Sequence, residues 1–126
     1  MKVLLDSSFL IDHLRSAPEA AARLAALFAH GDEILVDPVA ICEVRFGVRD
    51  REMLIFLGLL EPMEVVSADR ETALMAGRWR MRARDAGHHL GLADALIAAT
   101  AHVIDAAVLT RNVKDFALTP VRIETY

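Results

Sequence analysis

The sequence predicts an α/β fold, a three-layer α/β/α sandwich built on a mainly parallel sheet of four to five strands. Three observations lead there. Short apolar runs alternate with helical patterns from one end of the chain to the other, which is how repeated βαβ units read. The runs at Lys2–Leu5, Glu33–Val36 and Ala106–Leu109 are continuously apolar rather than alternating, as expected of strands covered on both faces. No repeat, low-complexity tract or linker interrupts the pattern, so one domain over residues 1–126 is expected.

Composition limits the class further. Of 126 residues, 55% are hydrophobic and 25% charged, a balance that supports a real core and excludes a disordered chain. Cys42 is the only cysteine, so an internal disulfide and a thiolate zinc site are both excluded, and a reducing compartment fits. The opening apolar run is too short for a signal peptide before Asp6 arrives, and no stretch reads as a membrane span. A cytoplasmic protein is expected. The net charge of −4 argues against a nucleic-acid binder that works by bulk charge. The basic residues are nonetheless nearly all arginine, with Lys2 and Lys114 the exceptions, and the arginine fork suits phosphate and carboxylate.

Each element has a local reason. After the first strand, Phe9, Leu10 and Leu14 recur at helical spacing to about Arg15. Ser16 and Glu19 stand at capping-box spacing with Pro18 in the first turn, predicting a helix over 17–30 that ends near Gly31. The second strand runs into Asp37-Pro38, an N-cap with proline at the first helical position, and a helix follows over 39–49. Asp50-Arg51-Glu52 breaks it, and a strongly apolar helical piece covers 53–60. Glu61-Pro62 is a breaker before a third strand over 63–66. Ser67 or Asp69 caps a long helix to about Ala86, on which Arg78, Arg80, Arg82 and Arg84 spread over more than one face. Residues 87–91 read as a loop carrying His88 and His89. Adjacent loop histidines without an H-E-x-x-H or cysteine partner point to packing or surface rather than to zinc. The helix from Leu92 to Ala101 is apolar all round and so buried. A fourth strand over 106–109, a polar loop over 110–116 and a charged edge strand over 121–124 complete the chain.

Four acids share one property: they interrupt apolar segments or follow them. Asp6 ends the first strand, Glu43 lies inside an apolar helix, Asp94 opens the buried helix and Asp115 follows the fourth strand. For Asp6 the alternative is a helix cap, a role open also to Ser7 and Ser8, and for Asp94 it is compensation of the helix dipole. Ligands of open α/β sheets bind outside the carboxyl ends of the strands, and if the first and fourth strands are neighbours, Asp6 and Asp115 meet at one edge. Four carboxylates in one cleft raise each other's pKa unless a cation joins them. Oxygen ligands alone favour Mg²⁺ or Mn²⁺, and paired ions suit an in-line attack on phosphorus.

The four motifs, Leu5-Asp6-Ser7-Ser8-Phe9-Leu10, Glu43-Val-Arg-Phe-Gly47, Asp94 to Ala101, and Leu109 to Phe116, resemble those of PIN-domain proteins in order and over essentially the whole chain. The similarity is greatest to VapC-type toxins of bacterial toxin–antitoxin pairs. That resemblance implies a metal-dependent endoribonuclease leaving a 5′-phosphate, with Asp6, Glu43, Asp94 and Asp115 as the acidic, metal-binding site. Asp6, Glu43 and Asp94 would hold the principal ion, and Asp115 either a second ion or a water. Asn112 and one of Ser7 or Ser8 would be supporting polar residues. Arg15, Arg45, Arg49 and Arg111 lie near these motifs and are candidates for RNA phosphate contact, with ordinary surface ion pairs as the alternative. The resemblance also implies a protein antitoxin, and the apolar helices over 17–30 and 51–60 suit a homodimer and an antitoxin groove. His88 and His89 match no role in the resemblance.

Three other readings compete. A phosphoacceptor receiver domain needs an adjacent acidic pair, where this chain has Ser7 and Ser8. A PIN fold without catalysis, acting as an RNA-binding or scaffolding module, is expected to lack one of the acids. A DNA-junction nuclease needs gripping elements that a chain of this length leaves no room for.

Overall fold

In the computed structural model, which describes all residues from Met1 to Tyr126, strands and helices alternate as the sequence predicts. The order is β1 (Lys2–Leu5), α1 (Ser7–Leu14), α2 (Pro18–Ala29), β2 (Glu33–Val36), α3 (Pro38–Gly47), a 3₁₀ turn (Asp50–Glu52), α4 (Met53–Leu60), β3 (Glu64–Val65), α5 (Arg70–Asp85), α6 (Leu92–Val103), β4 (Ala107–Leu109), α7 (Val113–Phe116) and β5 (Ile123–Glu124). The strands form one five-stranded sheet in the order β3-β2-β1-β4-β5. Every pairing is parallel. Val3, Leu4 and Leu5 point alternately to opposite faces of β1, and all three are buried, so helices cover both faces. α6 packs on β1 and β4, and α5 packs on α6. The core includes Phe9, Phe56 and Phe116, each fully buried, and burial of such a ring contributes about 2–3 kcal/mol. No helix is long and apolar enough to cross a membrane.

Register positions the chemistry. Leu5 of β1 lies opposite both Val36 of β2 and Leu109 of β4. The next residue of each strand is therefore Asp37, Asp6 or Thr110, side by side at the carboxyl edge of the sheet. All three are buried, and the Asp6 N–H donates to the Leu109 carbonyl at 3.0 Å.

Two local expectations need correction. The Ser16–Glu19 capping box does not form: α2 starts at Ala17-Pro18 without a side-chain cap. Ser16 instead closes α1 in a left-handed conformation, φ 61°, donating its N–H to His13 O while Ala17 N–H reaches Asp12 O. The end of the first helix thus takes the residue expected to start the second. The polar loop over 110–116 also contains a helical turn, α7, because the buried Phe116 ring anchors it and the Asn112 carbonyl accepts from the N–H groups of Asp115 and Phe116. The caps expected of Asp37 and Asp69 do form, to the N–H groups of Val39 and Thr72.

Candidate active site

Asp6 is 1% exposed, and its two carboxylate oxygens have different surroundings. Oδ2 accepts from the Ser8 hydroxyl and from the Thr110 hydroxyl, each at 2.8 Å. Those hydroxyls are themselves fixed: Arg111 N–H donates to Ser8 Oγ at 3.1 Å, and Asn112 N–H donates to Thr110 Oγ1 at 2.9 Å. Oδ1 is buried with no hydrogen-bond partner. A buried acceptor left open in this way is costly unless something binds it. At the same edge, Asp37 is equally buried but satisfied, accepting from Val39 N–H and from the Thr100 hydroxyl at 2.9 Å. Burial alone does not separate the two acids; the open oxygen does.

The four acids are linked electrostatically through Asp94, on which the charges of the other three act. Asp94, in the first turn of α6, is half-buried, and its carboxyl is pushed up to about 6, first by burial, then by the charges of Asp6, Asp115 and Glu43. Glu43 of α3 is also raised, mainly by burial and further by Asp6, while Ser7 offsets part of the rise. Its Oε1 is the second buried carboxylate oxygen with no partner. Asp115, on α7, is half-buried against the side of the cluster. The structure thus brings Asp6, Glu43, Asp94 and Asp115 into one electrostatic group drawn from four separate elements. No three side chains converge as a ready-made metal cage. Two orphaned carboxylate oxygens, and a carboxyl raised by burial and further by its acidic neighbours, fit a divalent cation, whose charge removes the mutual repulsion.

The supporting residues divide. Ser8 bonds Asp6 directly, Ser7 lies beside Glu43 in a cleft of about 460 Å³, and Asn112 contributes its backbone N–H while its side chain stays exposed. Thr110 carries no sequence signal beyond standing in a polar strand-end loop, yet it is fully buried and holds Asp6. Of the arginines, Arg45 pairs with Asp50 at 2.9 Å, and Arg111 pairs with Asp12, which also accepts from the Tyr126 hydroxyl. The guanidinium groups of Arg15 and Arg49 have no carboxylate partner, and both residues line, with Arg51 and Glu52, a cleft of about 450 Å³. That cleft shares Gly47 with the cleft that exposes Glu43.

The PIN domain family model matches residues 3–120. The chain belongs to the PIN-domain family. This PIN domain is 35% identical over 117 residues to Ribonuclease VapC19 of Mycobacterium tuberculosis, covering 93% of this chain and 94% of that protein. It is 34% identical over 116 residues to Ribonuclease VapC10 of the same organism, covering 92% of this chain and 86% of that one. Among solved structures, it superimposes on a chain of VapBC2 from Rickettsia felis bound to a promoter DNA fragment. The TM-score is 0.84 at 21% identity, covering 100% of this chain and 99% of that one. A chain of a toxin–antitoxin complex from Klebsiella pneumoniae gives a TM-score of 0.78 at 26% identity, covering 97% and 96%. The PIN fold and the VapC kinship expected from the motifs are therefore both found.

Proposed function

We propose that this PIN domain is a divalent-metal-dependent endoribonuclease and the toxin of a toxin–antitoxin pair, acting in the cytoplasm through one domain over residues 1–126. The carrying observation is Asp6 Oδ1, a buried carboxylate oxygen without a partner beside three further acids. The names of its relatives, Ribonuclease VapC19 and VapC10, support the same reading.

In this reading Asp6, Glu43 and Asp94 hold the principal ion, and Asp115 holds a second ion or a water. An all-oxygen donor set favours Mg²⁺, with Mn²⁺ as a substitute. The ion supplies ionisation of water near neutral pH and neutralisation of charge building on the phosphodiester. The protein's part is positional. Ser8 and Thr110 hold Asp6 Oδ2, so that Oδ1 keeps one direction. Ser7 steadies Glu43, and Asn112 steadies Thr110 through its N–H. Arg15 and Arg49 receive RNA phosphates on the Glu43 side, because they retain unpaired guanidinium groups there. Arg45 and Arg111 join them, since their exposed ion pairs with Asp50 and Asp12 can be exchanged for a phosphate.

The antitoxin would cover the cleft bounded by Ile11, Glu43 and Phe46, where Phe46 is 94% exposed. An occupant there shields Glu43 from RNA. Leu54, Ile55 and Leu57 leave α4 apolar on its outer side, which suits a second copy of the chain.

The test is cleavage of structured RNA by the antitoxin-free protein, with Mg²⁺, Mn²⁺ or EDTA, beside Asp6→Asn. Cleavage that requires both metal and Asp6 is expected. Intact total RNA at high protein concentration, with binding retained, would replace the nuclease by an RNA-binding module.

A further inference from the structure

We propose that the cleft walled by His88 and His89 is a subsite for single-stranded RNA, receiving nucleotides that flank the scissile bond on the Asp115 side. For the site it feeds, this rests on the nuclease reading above. Two contiguous clefts share the histidines. One, of about 380 Å³, also contains Lys114 and Asp115. The other, of about 290 Å³, contains Arg80 and Arg84. The histidine cleft therefore opens directly onto one of the four acids.

Its chemistry is that of a backbone receptor. Two guanidinium groups, an ammonium and two imidazoles stand together. Apart from Asp115, the only carboxylate touching them is Asp85, at 3.4 Å from Arg84 Nε and well exposed. Such a contact contributes little and is readily exchanged for a phosphate. Arg80 Nε donates to the Leu90 carbonyl at 2.9 Å, which leaves the other two guanidinium nitrogens for a ligand. Imidazole offers an N–H to phosphate and a flat face to an unpaired base. Metal binding by the histidines is not indicated, since no third ligand converges on them.

The loop is also held in place before any ligand arrives. α5 ends at Asp85, and Gly87 just beyond it turns the chain with a φ of +82° that suits glycine. Gly87 N–H donates to Arg84 O at 2.9 Å, and His88 N–H donates to Ala83 O at 2.8 Å. This double bond pattern fixes the exit of the chain from the helix. Three residues later the Leu90 side chain is buried at 2% exposure. His88 and His89 are thus exposed side chains on a backbone clamped at both ends, and little ordering remains to oppose binding.

The experiment compares His88→Ala/His89→Ala, Arg84→Ala and Lys114→Ala with their parent, by fluorescence anisotropy with labelled single-stranded RNA in Mg²⁺. An Asp94→Asn background silences cleavage, and KM and kcat are measured in the native background. All four positions are exposed, so unchanged melting temperatures check the fold. The expected result is an affinity about tenfold lower for the double variant, the loss typical of a base-stacking contact. KM should rise by a similar factor with kcat nearly constant. Each lost cation should reduce the salt slope by about 0.7. Parental affinity, salt slope and KM in all variants of a protein that cleaves RNA would overturn the subsite and leave the nuclease standing. Weakened binding by variants of a protein that never cleaves RNA would support the subsite and remove the nuclease. A parent that binds no RNA overturns the subsite.

Discussion

Thr110 donates its hydroxyl to Asp6 Oδ2 at 2.8 Å, joining two residues 104 positions apart at the ends of neighbouring parallel strands. This bond, with its twin from Ser8, commits one carboxylate oxygen to the protein and leaves the other for a cation. Thr110→Val keeps the shape and removes the donor. The expected outcome is a folded protein about 1 kcal/mol less stable, needing about tenfold more Mg²⁺ for half-maximal RNA cleavage. A Mg²⁺ titration of the cleavage rate checks it, and an unchanged midpoint would separate Thr110 from the metal site.

Asp94 gives a pH dependence with a definite sign. Its carboxyl lies at about 6 in the folded chain against an ordinary 3.8, so between those values the folded state holds a proton that the unfolded state has released. The contribution of this group to stability therefore falls as pH rises from about 4 to about 6, and stays unfavourable above. Without metal, Asp94→Asn should melt about 4 °C higher than the native chain at pH 7.5, and the gap should close near pH 4. Thermal melts in EDTA at both pH values measure this. Saturating Mg²⁺ should reverse the order at pH 7.5, because only the native chain offers the ion all its ligands.

Asp37 is the control among the buried acids. It is as buried as Asp6, but its oxygens are taken by Val39 N–H and Thr100. Asp37→Ala should cost about 2 kcal/mol, or about 8 °C in Tm, through the lost cap and the lost bond from Thr100, whose hydroxyl keeps only the Leu96 carbonyl. The Mg²⁺ midpoint of whatever folded protein remains should be unchanged. A shifted midpoint would place Asp37 among the ligands.

Phe46 stands 94% exposed beside Glu43. Phe46→Asp should leave Tm within about 1 °C, since little packing is lost. Antitoxin affinity should fall at least about tenfold, as expected for a buried aromatic anchor. Calorimetric titration with the purified antitoxin decides the point, and undiminished affinity would move the docking surface elsewhere.

The order of elements was legible because each strand is a short unbroken apolar run and each helix brings its own punctuation, such as Asp37-Pro38 before α3. Asp6, Glu43, Asp94 and Asp115 were legible as candidates because an acid within or after an apolar segment demands a reason. Thr110 was not, since threonine after a strand is ordinary and only the parallel register of β1 with β4 sets it against Asp6. The fate of Arg111 was hidden similarly. Its partner Asp12 faces it from a helix 99 residues away, and no local pattern reveals that pair. The Ser16 cap failed where two adjacent helices competed for one residue.

The placement of β4 beside β1 also has a consequence in time. During synthesis Asp6 emerges well before Thr110, which follows 104 positions later, and before Asp115, which comes after β4. Until then β1 lacks its neighbour on one side, and Asp6 lacks both the Thr110 hydroxyl and its third acidic companion, Asp115. A chain that still lacks β4 therefore lacks part of the candidate site, which is completed by a long-range strand pairing rather than by the first strand alone.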